Sequence, residues 1–597
     1  MKHLHFSDTH IKGGFWKYYS DMVRNVTAKA VYDRFWETGR FDAFRCDWEE
    51  GMKNRPHRFW DSDVAKWIEG VAYLSEIKRE PEFEKIADET IDLIEKNQYE
   101  NGYFNSYYIR IEPDNIFKNR DGHELYTTGH LIEAAIAYDK ATGKDKLLKC
   151  MIKNVDHIYK VFVEDKSAAF NTPGHQEIEL ALLKLYDYTK YEKALSLAQY
   201  FIENRGKFEN DKVSHNDQTM IPLRELKEVD GHCVRAGYLF AAMAKLANLT
   251  HDEKLFKVCD NLFNDITEKK MSITGGIGYH RFKNFAEAFS YAYDLPNLSA
   301  YNETCASIAL ALFAHEMLEA KIDSKYADII ELINFNGFIS GVSLSGDEFF
   351  YSNPLEIDLK KHYRDREFQG PSQRVKVFEC SCCPPNVVRM LSSIQRFMYS
   401  QDENVVYCHQ FADSETKLNI KGINAVLIQK TDYPYSGKID FTVKGADIKL
   451  KIRIPSWCTE FEGTKENGYI TVDLKKGESF TLNLPMNIHF IEANPNVQDN
   501  SGRYALMRGP VVYCMEGIDN GENLRDITIL ENGESEIIKD EYFPAPVILI
   551  DGERRENVNS LYKIKDNKRI KIKAKFIPYL GYENRGDTDM IIWTQVK

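Results

Sequence analysis

The sequence lacks the features of membrane, secreted and nucleic-acid-binding proteins. No apolar run in its 597 residues approaches the roughly 18 residues of a membrane span, and residues 1–10 contain no apolar core of a signal peptide. The formal net charge of −13 argues against nucleic acid or an anionic membrane as a partner. We therefore expect a globular protein with neither kind of partner.

Cysteine is sparse, and its distribution excludes a disulfide framework. The chain has 11 cysteines, an odd number, and most of them are single residues in apolar stretches. This pattern is typical of a reducing compartment, so the predicted location is the cytoplasm. Cys380, Cys382 and Cys383 are the exception, because scattered core residues do not explain three thiols within four positions.

The first two thirds of the chain have the periodicity of helices. At this length about two to four domains are expected. From Phe15 to about Ser400, an apolar stretch is repeatedly followed by a more charged one, and Gly-His pairs precede three of the apolar stretches. An apolar helix followed by an amphipathic helix is what an inner and an outer ring of helices require. Residues 15–400 are therefore predicted to form an (α/α)6 barrel.

The three Gly-His pairs suggest a pocket. If each pair opens an inner helix, then His130, His175 and His232 surround one mouth of the barrel. We expect these histidines to line a binding pocket at that mouth. The alternative for each is a neighbour of a helix N-cap with no chemical role.

The last third of the chain has the alternating residue pattern of β-strands. Residues 404–411, 425–430, 438–443 and 447–454 alternate apolar and polar side chains and are separated by Gly, Asn, Asp and Pro. Many short strands without helices predict β-sandwiches. The predicted class is multidomain α + β with four parts: an N-terminal segment, 1–14, with a strand joining the sandwich as one option; the barrel, 15–400; a β-sandwich, 401–490; and a second β-sandwich, 491–597.

Two fragments carry the ligand types of a zinc site. Glu303 and Cys305 stand just before an apolar helix, and Cys382 and Cys383 stand just before Pro384-Pro385, a typical helix start. Three sulfurs and one oxygen suit a closed tetrahedral Zn²⁺ site. For Glu303 and Cys305 to share a metal, the helix has to begin after them. A helix dipole and a metal would both lower the pKa of these thiols.

Other interpretations of the cluster remain open. It could be a purely structural zinc site or a vicinal cysteine pair in a core. Structural sites usually have Cys-x-x-Cys pairs, which are absent here, so an active centre is favoured. Cys380 is left without a role, and Glu379 is a less favoured alternative ligand. Glu287 is a candidate acid, although it is one carboxylate among many.

Several motifs together resemble glycoside hydrolase family 127, the β-L-arabinofuranosidases. They are Glu287-Ala-Phe, Tyr301-x-Glu303-Thr-Cys305 and Cys382-Cys383-Pro-Pro-Asn386, and the resemblance runs almost end to end. It implies an (α/α)6 barrel followed by β-sandwich domains, as the periodicity indicates independently. It also implies release of non-reducing terminal β-L-arabinofuranose with retention of configuration, acting on a small oligosaccharide or glycoside.

The resemblance implies a role for each site residue. Cys382 would be the nucleophile and Glu287 the acid and base, while Glu303, Cys305 and Cys383 would hold Zn²⁺ together with Cys382. The substrate pocket would use the three histidines and also Glu331 and Tyr351. Three thiolates and one carboxylate on Zn²⁺ total −2, and the groups that offset this charge are not identifiable from the sequence.

Three other functions also fit part of this sequence pattern. The same machinery could act on a different sugar, such as a branched or acidic deoxy sugar. The chain could be a non-catalytic carbohydrate-binding protein with a structural zinc. It could also be a sugar epimerase with paired histidines, which leaves the cysteines unexplained. The oligomeric state is open, with a homodimer as one option.

Overall fold

The computed structural model describes residues 2–207, 211–279, 287–362, 373–377, 380–556, 561–562, 564 and 568–597. Helices dominate up to about residue 400 and strands dominate after it. The α-helices are α1 Gly14–Met22, α2 Ala28–Glu37, α3 Trp60–Ile77, α4 Pro81–Asn97, α5 Ser106–Arg110, α6 Glu124–Thr142, α7 Lys146–Tyr159, α8 Ile178–Thr189, α9 Glu192–Asn204, α10 Cys233–Thr250, α11 Glu253–Lys269, α12 Thr304–Ala320, α13 Ser324–Leu332, α14 Leu359–His362, α15 Cys383–Ser392 and α16 Gly517–Asn520.

Six of these helices contact one another in a closed cycle, which we call the helical ring. In order around the cycle they are α3, α6, α8, α10, α12 and α15, and α15 packs against α3. Most of their residues are buried all round, since stretches such as that of α12 are built largely from Ala, Leu, Ile and Phe. A helix that is apolar on every side has to be covered on every side.

A second set of helices covers this ring from outside. The helices α4, α7, α9, α11 and α13 each bury one stripe and expose the rest. In α11 the buried residues recur every three or four positions, and the side chain of Asp252 caps the first turn by accepting from the backbone of Lys254 and Leu255. Within the described ranges, no helix has the length and apolar content needed to cross a bilayer.

The strands form three sheets. Their bounds are β1 Lys2–His3, β2 Thr9–Ile11, β3 Glu356–Ile357, β4 Tyr399–Asp402, β5 Val405–Cys408, β6 Ser414–Ile420, β7 Ile423–Thr431, β8 Lys438–Lys444, β9 Ile448–Arg453, β10 Tyr469–Leu474, β11 Ser479–Asn483, β12 Ile488–Glu492, β13 Tyr504–Arg508, β14 Val511–Glu516, β15 Ile527–Ile529, β16 Ser535–Ile538, β17 Val547–Arg555, β18 Arg569–Pro578, β19 Met590–Ile591 and β20 Trp593–Val596.

The N-terminal segment contributes a strand to each of the first two sheets. Their strand orders are β1-β4-β5-β9-β10 and β11-β8-β7-β6-β2. Strands such as β6 and β8 alternate buried and exposed residues, so each has one face toward the core. The third sheet takes the order β12-β13-β20-β15-β17-β18-β14-β19-β3 and begins at Ile488, close to the boundary near 490 expected from the sequence. Through β3, the helical part and the C-terminal part share a sheet.

The first residue of α6 carries a carboxyl that is almost completely buried. Glu124 is 3% exposed, and its oxygens accept hydrogen bonds from the Tyr103 hydroxyl at 2.6 Å and from the Phe117 backbone at 2.9 Å. Burial dominates over these bonds and raises the pKa of Glu124 to about 8. The carboxyl is therefore mostly neutral in the folded protein at pH 7.

Replacing Glu124 by glutamine is expected to remove a pH-dependent loss of stability. The Glu124 carboxyl has an ordinary pKa of 4.5 and a pKa of about 8 in the folded protein. Between these values the folded state keeps a proton that the unfolded state has lost, so stability falls as pH rises, by about 1.4 kcal/mol per unit. The melting temperature of wild type should therefore drop more than that of Glu124→Gln between pH 5 and pH 8. Equal drops would contradict this, and Glu82→Gln, at an exposed position of α4, is the control.

Candidate active site

Four acidic side chains from two helix starts meet inside the helical ring. Glu303 is the N-cap residue of α12 and Cys305 is its second residue, while Cys382 is the N-cap residue of α15 and Cys383 its first. The Cys382 Sγ lies 3.6 Å from Glu303 Oε1, 3.6 Å from Cys305 Sγ and 3.8 Å from Cys383 Sγ. The four ligand atoms all lie within 4.8 Å of one another. The structure therefore brings together the four predicted metal ligands.

The backbone around Glu303 explains how it can meet Cys305. The sequence suggests that both residues precede the helix, but α12 begins at Thr304 and includes Cys305. Glu303 alone is extended, with φ −55° and ψ 135°, and it forms a β-bridge with Ser352. The backbone of Thr304 also donates to the carbonyl of Tyr351 at 2.9 Å. One extended residue is enough to direct both side chains to the same point.

The cluster fits a metal ion. Glu303 Oε2 is buried and has no hydrogen-bond partner among the described residues. Burial and the neighbouring thiols raise the pKa of Glu303 and of Cys383. For Cys305 burial acts in the same direction, but its hydrogen-bond contacts with Cys382 and Cys383 outweigh burial and lower the pKa to about 5. Four crowded acidic groups with an unsatisfied oxygen are a donor set that a cation would stabilise.

Asn386 and Lys66 support the cluster from behind. Asn386 Nδ2 donates to Cys305 Sγ at 3.2 Å, and its Oδ1 accepts from Arg389 Nε at 2.7 Å. The Arg389 guanidinium also contacts Glu133 at 2.6 Å and Glu69 at 3.0 Å, so its own charge is compensated by carboxylates. Buried Lys66 lies near enough for its charge to lower the pKa of Cys305. The Asn386 amide and the Lys66 charge therefore offset part of the negative charge of the thiols.

Glu287 lies next to this cluster and is held by its neighbours. Its Oε2 is 2.9 Å from His232 Nε2, and its Oε1 accepts from the Tyr351 hydroxyl at 3.1 Å. Its backbone carbonyl accepts from the amide of Cys233 at 2.9 Å, which fixes it at the start of α10. Burial would raise the pKa of Glu287, but the charge of His232, the hydrogen bonds and the charge of Arg235 hold it at about 2.

Tyr351 connects the carboxyl and the thiol. Its hydroxyl lies 3.1 Å from Glu287 Oε1 and 3.5 Å from Cys382 Sγ. Burial and the negative charges around it raise the pKa of Tyr351 well above its usual value, so the hydroxyl stays protonated. Glu287 and Cys382 therefore both contact the Tyr351 hydroxyl.

The three predicted histidines are not equivalent. His232 caps α10 and contacts Glu287, and half-buried His175, which precedes α8, lies edge-on to His232 with the ring centroids 5.6 Å apart. His130 instead lies in the second turn of α6, fully buried, with its Nδ1 3.5 Å from Glu177. Burial and nearby cations lower the pKa of His130 well below its usual value. His130 therefore belongs to the interior of the ring.

The helix start expected at Gly129 is wrong, and packing explains why. A side chain at Gly129 would overlap the Glu177 carboxylate and approach the backbone of Ile178. The glycine is needed for close contact between α6 and the chain entering α8, and α6 begins at Glu124. A glycine that permits close packing and a glycine that marks a helix end look the same in sequence.

The structure does not bring Glu331 into this group. Its carboxylate accepts from Tyr433 at 2.8 Å, from Arg453 at 2.6 Å and from Trp457 at 3.1 Å. All three partners belong to the region of the first two sheets, and Arg453 is fully buried. Glu331 thus ties α13 to those sheets.

Replacing Arg453 by methionine is expected to cost about 3–5 kcal/mol of stability, because it leaves the buried Glu331 carboxylate without its cation. Chemical denaturation of both proteins measures the loss. The double variant Arg453→Met, Glu331→Met removes both charges and should recover part of it. A single variant as stable as wild type would contradict the role of this pair.

Several residues of the site were not predicted. Asn386 and Arg389 stand three and six positions after Cys383, on α15, where a charged residue among apolar ones is the available signal. Tyr301 has its hydroxyl 3.5 Å from Glu287 Oε1. The alternative ligand Glu379 lies outside the described residues. Cys380 is exposed, with its Sγ 3.9 Å from the Tyr351 hydroxyl.

Comparisons with known proteins agree with this architecture. Residues 8–396 match the model of a β-L-arabinofuranosidase GH127 catalytic domain. Residues 405–486 match the GH127 middle domain, and residues 488–595 match the family 127 C-terminal domain.

Relatives are similar over most of their length. A protein of Bifidobacterium longum subsp. longum named non-reducing end β-L-arabinofuranosidase is 32% identical over 510 residues, which cover 78% of this chain and 77% of the relative. The crystal structure of a GH127 β-L-arabinofuranosidase from Geobacillus stearothermophilus T6 is 38% identical with a TM-score of 0.93, covering 99% of this chain and 100% of that one. A second GH127 β-arabinofuranosidase structure is 29% identical with a TM-score of 0.91, covering 100% and 98%.

Proposed function

Because the chain belongs to glycoside hydrolase family 127, we propose that it is a retaining exo-glycosidase that releases non-reducing terminal β-L-arabinofuranose. Family membership makes it a glycoside hydrolase. The named activity of the Bifidobacterium relative supports the choice of sugar and of the non-reducing end. The observation that carries the mechanism is the Tyr351 hydroxyl, which contacts both Glu287 and Cys382.

We propose that the metal is Zn²⁺, held by Glu303, Cys305, Cys382 and Cys383. Three sulfurs and one oxygen suit zinc better than the harder cations. When bound, zinc would keep the thiols in their thiolate form at neutral pH. The amide of Asn386, which donates to Cys305, and the charge of Lys66 stabilise part of the remaining negative charge of such a centre.

In the first step we propose that Cys382 Sγ attacks the anomeric carbon of the arabinofuranose. The bond from that carbon to the leaving oxygen breaks, and Glu287 gives its proton to the oxygen. The contact through Tyr351 supports this pairing, since retaining enzymes keep the nucleophile and the acid about 5 Å apart. In the second step Glu287 takes a proton from water, the water oxygen attacks the anomeric carbon and the thiolate of Cys382 leaves.

His232 holds the carboxyl of Glu287 in place. The low pKa of Glu287 means that its carboxyl is ionised before substrate binds. A bound sugar displaces water and makes a buried charge more costly, so it favours protonation of the carboxyl. The half-buried ring of His175 lies next to His232 and is available to the sugar hydroxyls.

The closed cycle of six inner helices supports the (α/α)6 barrel as the catalytic scaffold. In that barrel the thiol cluster occupies the mouth formed by the starts of α12 and α15. We propose Glu331 as a residue that positions the catalytic domain against the middle domain, since its carboxylate is fully engaged there. A cytoplasmic location and a homodimer remain predictions.

Hydrolysis rates on a panel of aryl glycosides test this function. The aryl β-L-arabinofuranoside should be cleaved fastest, with β-L-arabinofuranose as the first product by NMR. A strong chelator should abolish the activity, and added Zn²⁺ should restore it. A faster rate on a branched or acidic deoxy sugar would favour the alternative substrate, and full activity without metal would contradict the zinc centre.

A further inference from the structure

A cavity lies at the end of the helical ring opposite to the thiol cluster. Its volume is about 660 Å³, and it is lined by residues of the C-terminal halves of α3, α6, α8, α10 and α12, with residues 4–6 of the N-terminal segment. The thiol cluster lies at the N-terminal ends of α12 and α15, so the two sites are separate. Cavities that bind small molecules commonly measure about 300–1,000 Å³.

Each carboxyl group of this cavity wall contacts a lysine. Lys184 pairs with Glu133. The ammonium of Lys245 lies 3.4 to 3.8 Å from three further carboxyl groups, those of Asp187, Glu316 and Glu319, and burial raises the pKa of Glu316 to about 7. The two lysines hold the four carboxyl groups in place without cancelling all of their charge.

Two cations of the wall have no carboxylate partner within the ranges that the structure describes. The Lys140 ammonium lies 4.8 Å from the centre of the Tyr188 ring, and the Arg396 guanidinium lies 5.0 Å from that of Tyr73. An aromatic ring attracts a cation but accepts few of its hydrogen bonds. The N–H groups of both side chains remain available to a ligand.

The Lys140 ammonium is not fully compensated for the water that it loses on burial. Desolvation is the largest effect on the pKa of Lys140 and lowers it. The carboxylates of Glu76 and Asp187 raise this pKa without reversing the shift, and the positive charges of Arg396 and Lys184 lower it by smaller amounts. An anion bound next to Lys140 would stabilise its charged form.

Helix dipoles do not account for both cations. Lys140 stands in the last turn of α6, where a positive side chain is favoured. Arg396 belongs instead to the short 3-10 turn Ile394–Phe397 that follows α15. The Tyr73 ring holds Arg396 in the wall and leaves its N–H groups available to an anion.

We propose that this cavity is a binding site for a small phosphate-bearing ligand, either inorganic phosphate or a phosphorylated sugar, held by Lys140 and Arg396. A guanidinium binds phosphate through two parallel hydrogen bonds, and an ammonium adds a point charge. The volume exceeds that of phosphate alone and leaves space for a sugar beside Asn248. Glu133 belongs both to this wall and to the Arg389 network, so a ligand here lies beside the residues that support the thiol cluster.

Isothermal titration calorimetry of the full-length, metal-loaded enzyme tests the proposal. Three probes are titrated at constant ionic strength: inorganic phosphate, a pentose 5-phosphate and unphosphorylated L-arabinose. We expect a phosphate-bearing probe to bind and Lys140→Gln and Arg396→Gln each to raise its Kd about tenfold or more, since each loses a charge-assisted hydrogen bond. The tighter of the two phosphate probes identifies the source of the anion.

Matched variants show whether a change in Kd comes from the cavity or from the net charge of the protein. Lys140→Arg keeps the charge and should keep binding, and Lys149→Gln, at an exposed position of α7, should leave Kd unchanged. Circular dichroism checks the fold of each variant, and Lys140→Gln is decisive alone if Arg396→Gln does not fold. The proposal is overturned if neither phosphate probe binds, or if Lys140→Gln binds phosphate as tightly as wild type.

Discussion

Cys382→Ser is expected to lower the turnover of an aryl β-L-arabinofuranoside by about 10⁴-fold or more, as loss of a nucleophile does in other covalent enzymes. A serine hydroxyl is a much weaker nucleophile than a thiolate at neutral pH. The Sγ of Cys382 is the thiol 3.5 Å from the Tyr351 hydroxyl, which also contacts the carboxyl of Glu287. Steady-state kinetics on an activated substrate measures the loss.

Serine variants of two neighbouring cysteines distinguish loss of the nucleophile from loss of the metal. Cys380→Ser, two positions earlier, lies outside the group of four ligand atoms and should keep most of the activity. Cys383→Ser should lose both metal and activity, since this fully buried thiol lies 3.9 Å from Glu303 Oε1. Metal content is measured for every variant. A Cys382→Ser enzyme that turns over at a rate close to wild type would exclude Cys382 as the nucleophile.

The contact between the Glu303–Cys305 fragment and the Cys382–Cys383 fragment could be predicted, because their combination of thiols and a carboxyl is unusual. A closed site of three sulfurs and an oxygen needs each of Glu303, Cys305, Cys382 and Cys383. Pro384 and Pro385 also mark the helix start that directs Cys382 and Cys383. Where residue chemistry and helix punctuation agree, one sequence is informative about a site.

The surroundings of that cluster could not be predicted, because they depend on long-range pairing. Arg389 meets Glu69 and Glu133, which are 320 and 256 residues away in the chain. The start of α6 could not be predicted, because the close approach of Glu177 to Gly129 leaves no local signal. The assignment of Glu331 to the substrate pocket rests on a short motif. Its partners Arg453 and Trp457 reach it only because α13 packs against the sheets.

Glu287→Gln is expected to separate the two steps of the reaction. With an activated aryl leaving group, the first step needs little acid assistance, so attack by Cys382 should proceed. The second step needs a base, and its rate should fall about 10²–10⁴-fold. Stopped-flow traces should then show a burst of aryl alcohol followed by a slow phase, and substrates with poor leaving groups should lose the burst.

The covalent species that accumulates in Glu287→Gln identifies the nucleophile directly. Intact mass spectrometry should show one added pentose residue, and peptide mapping should place it on Cys382. Added azide, a nucleophile that needs no base, should restore release of the sugar as glycosyl azide. An adduct on another residue, or a variant whose two steps slow equally with every leaving group, would contradict the roles of Glu287 and Cys382.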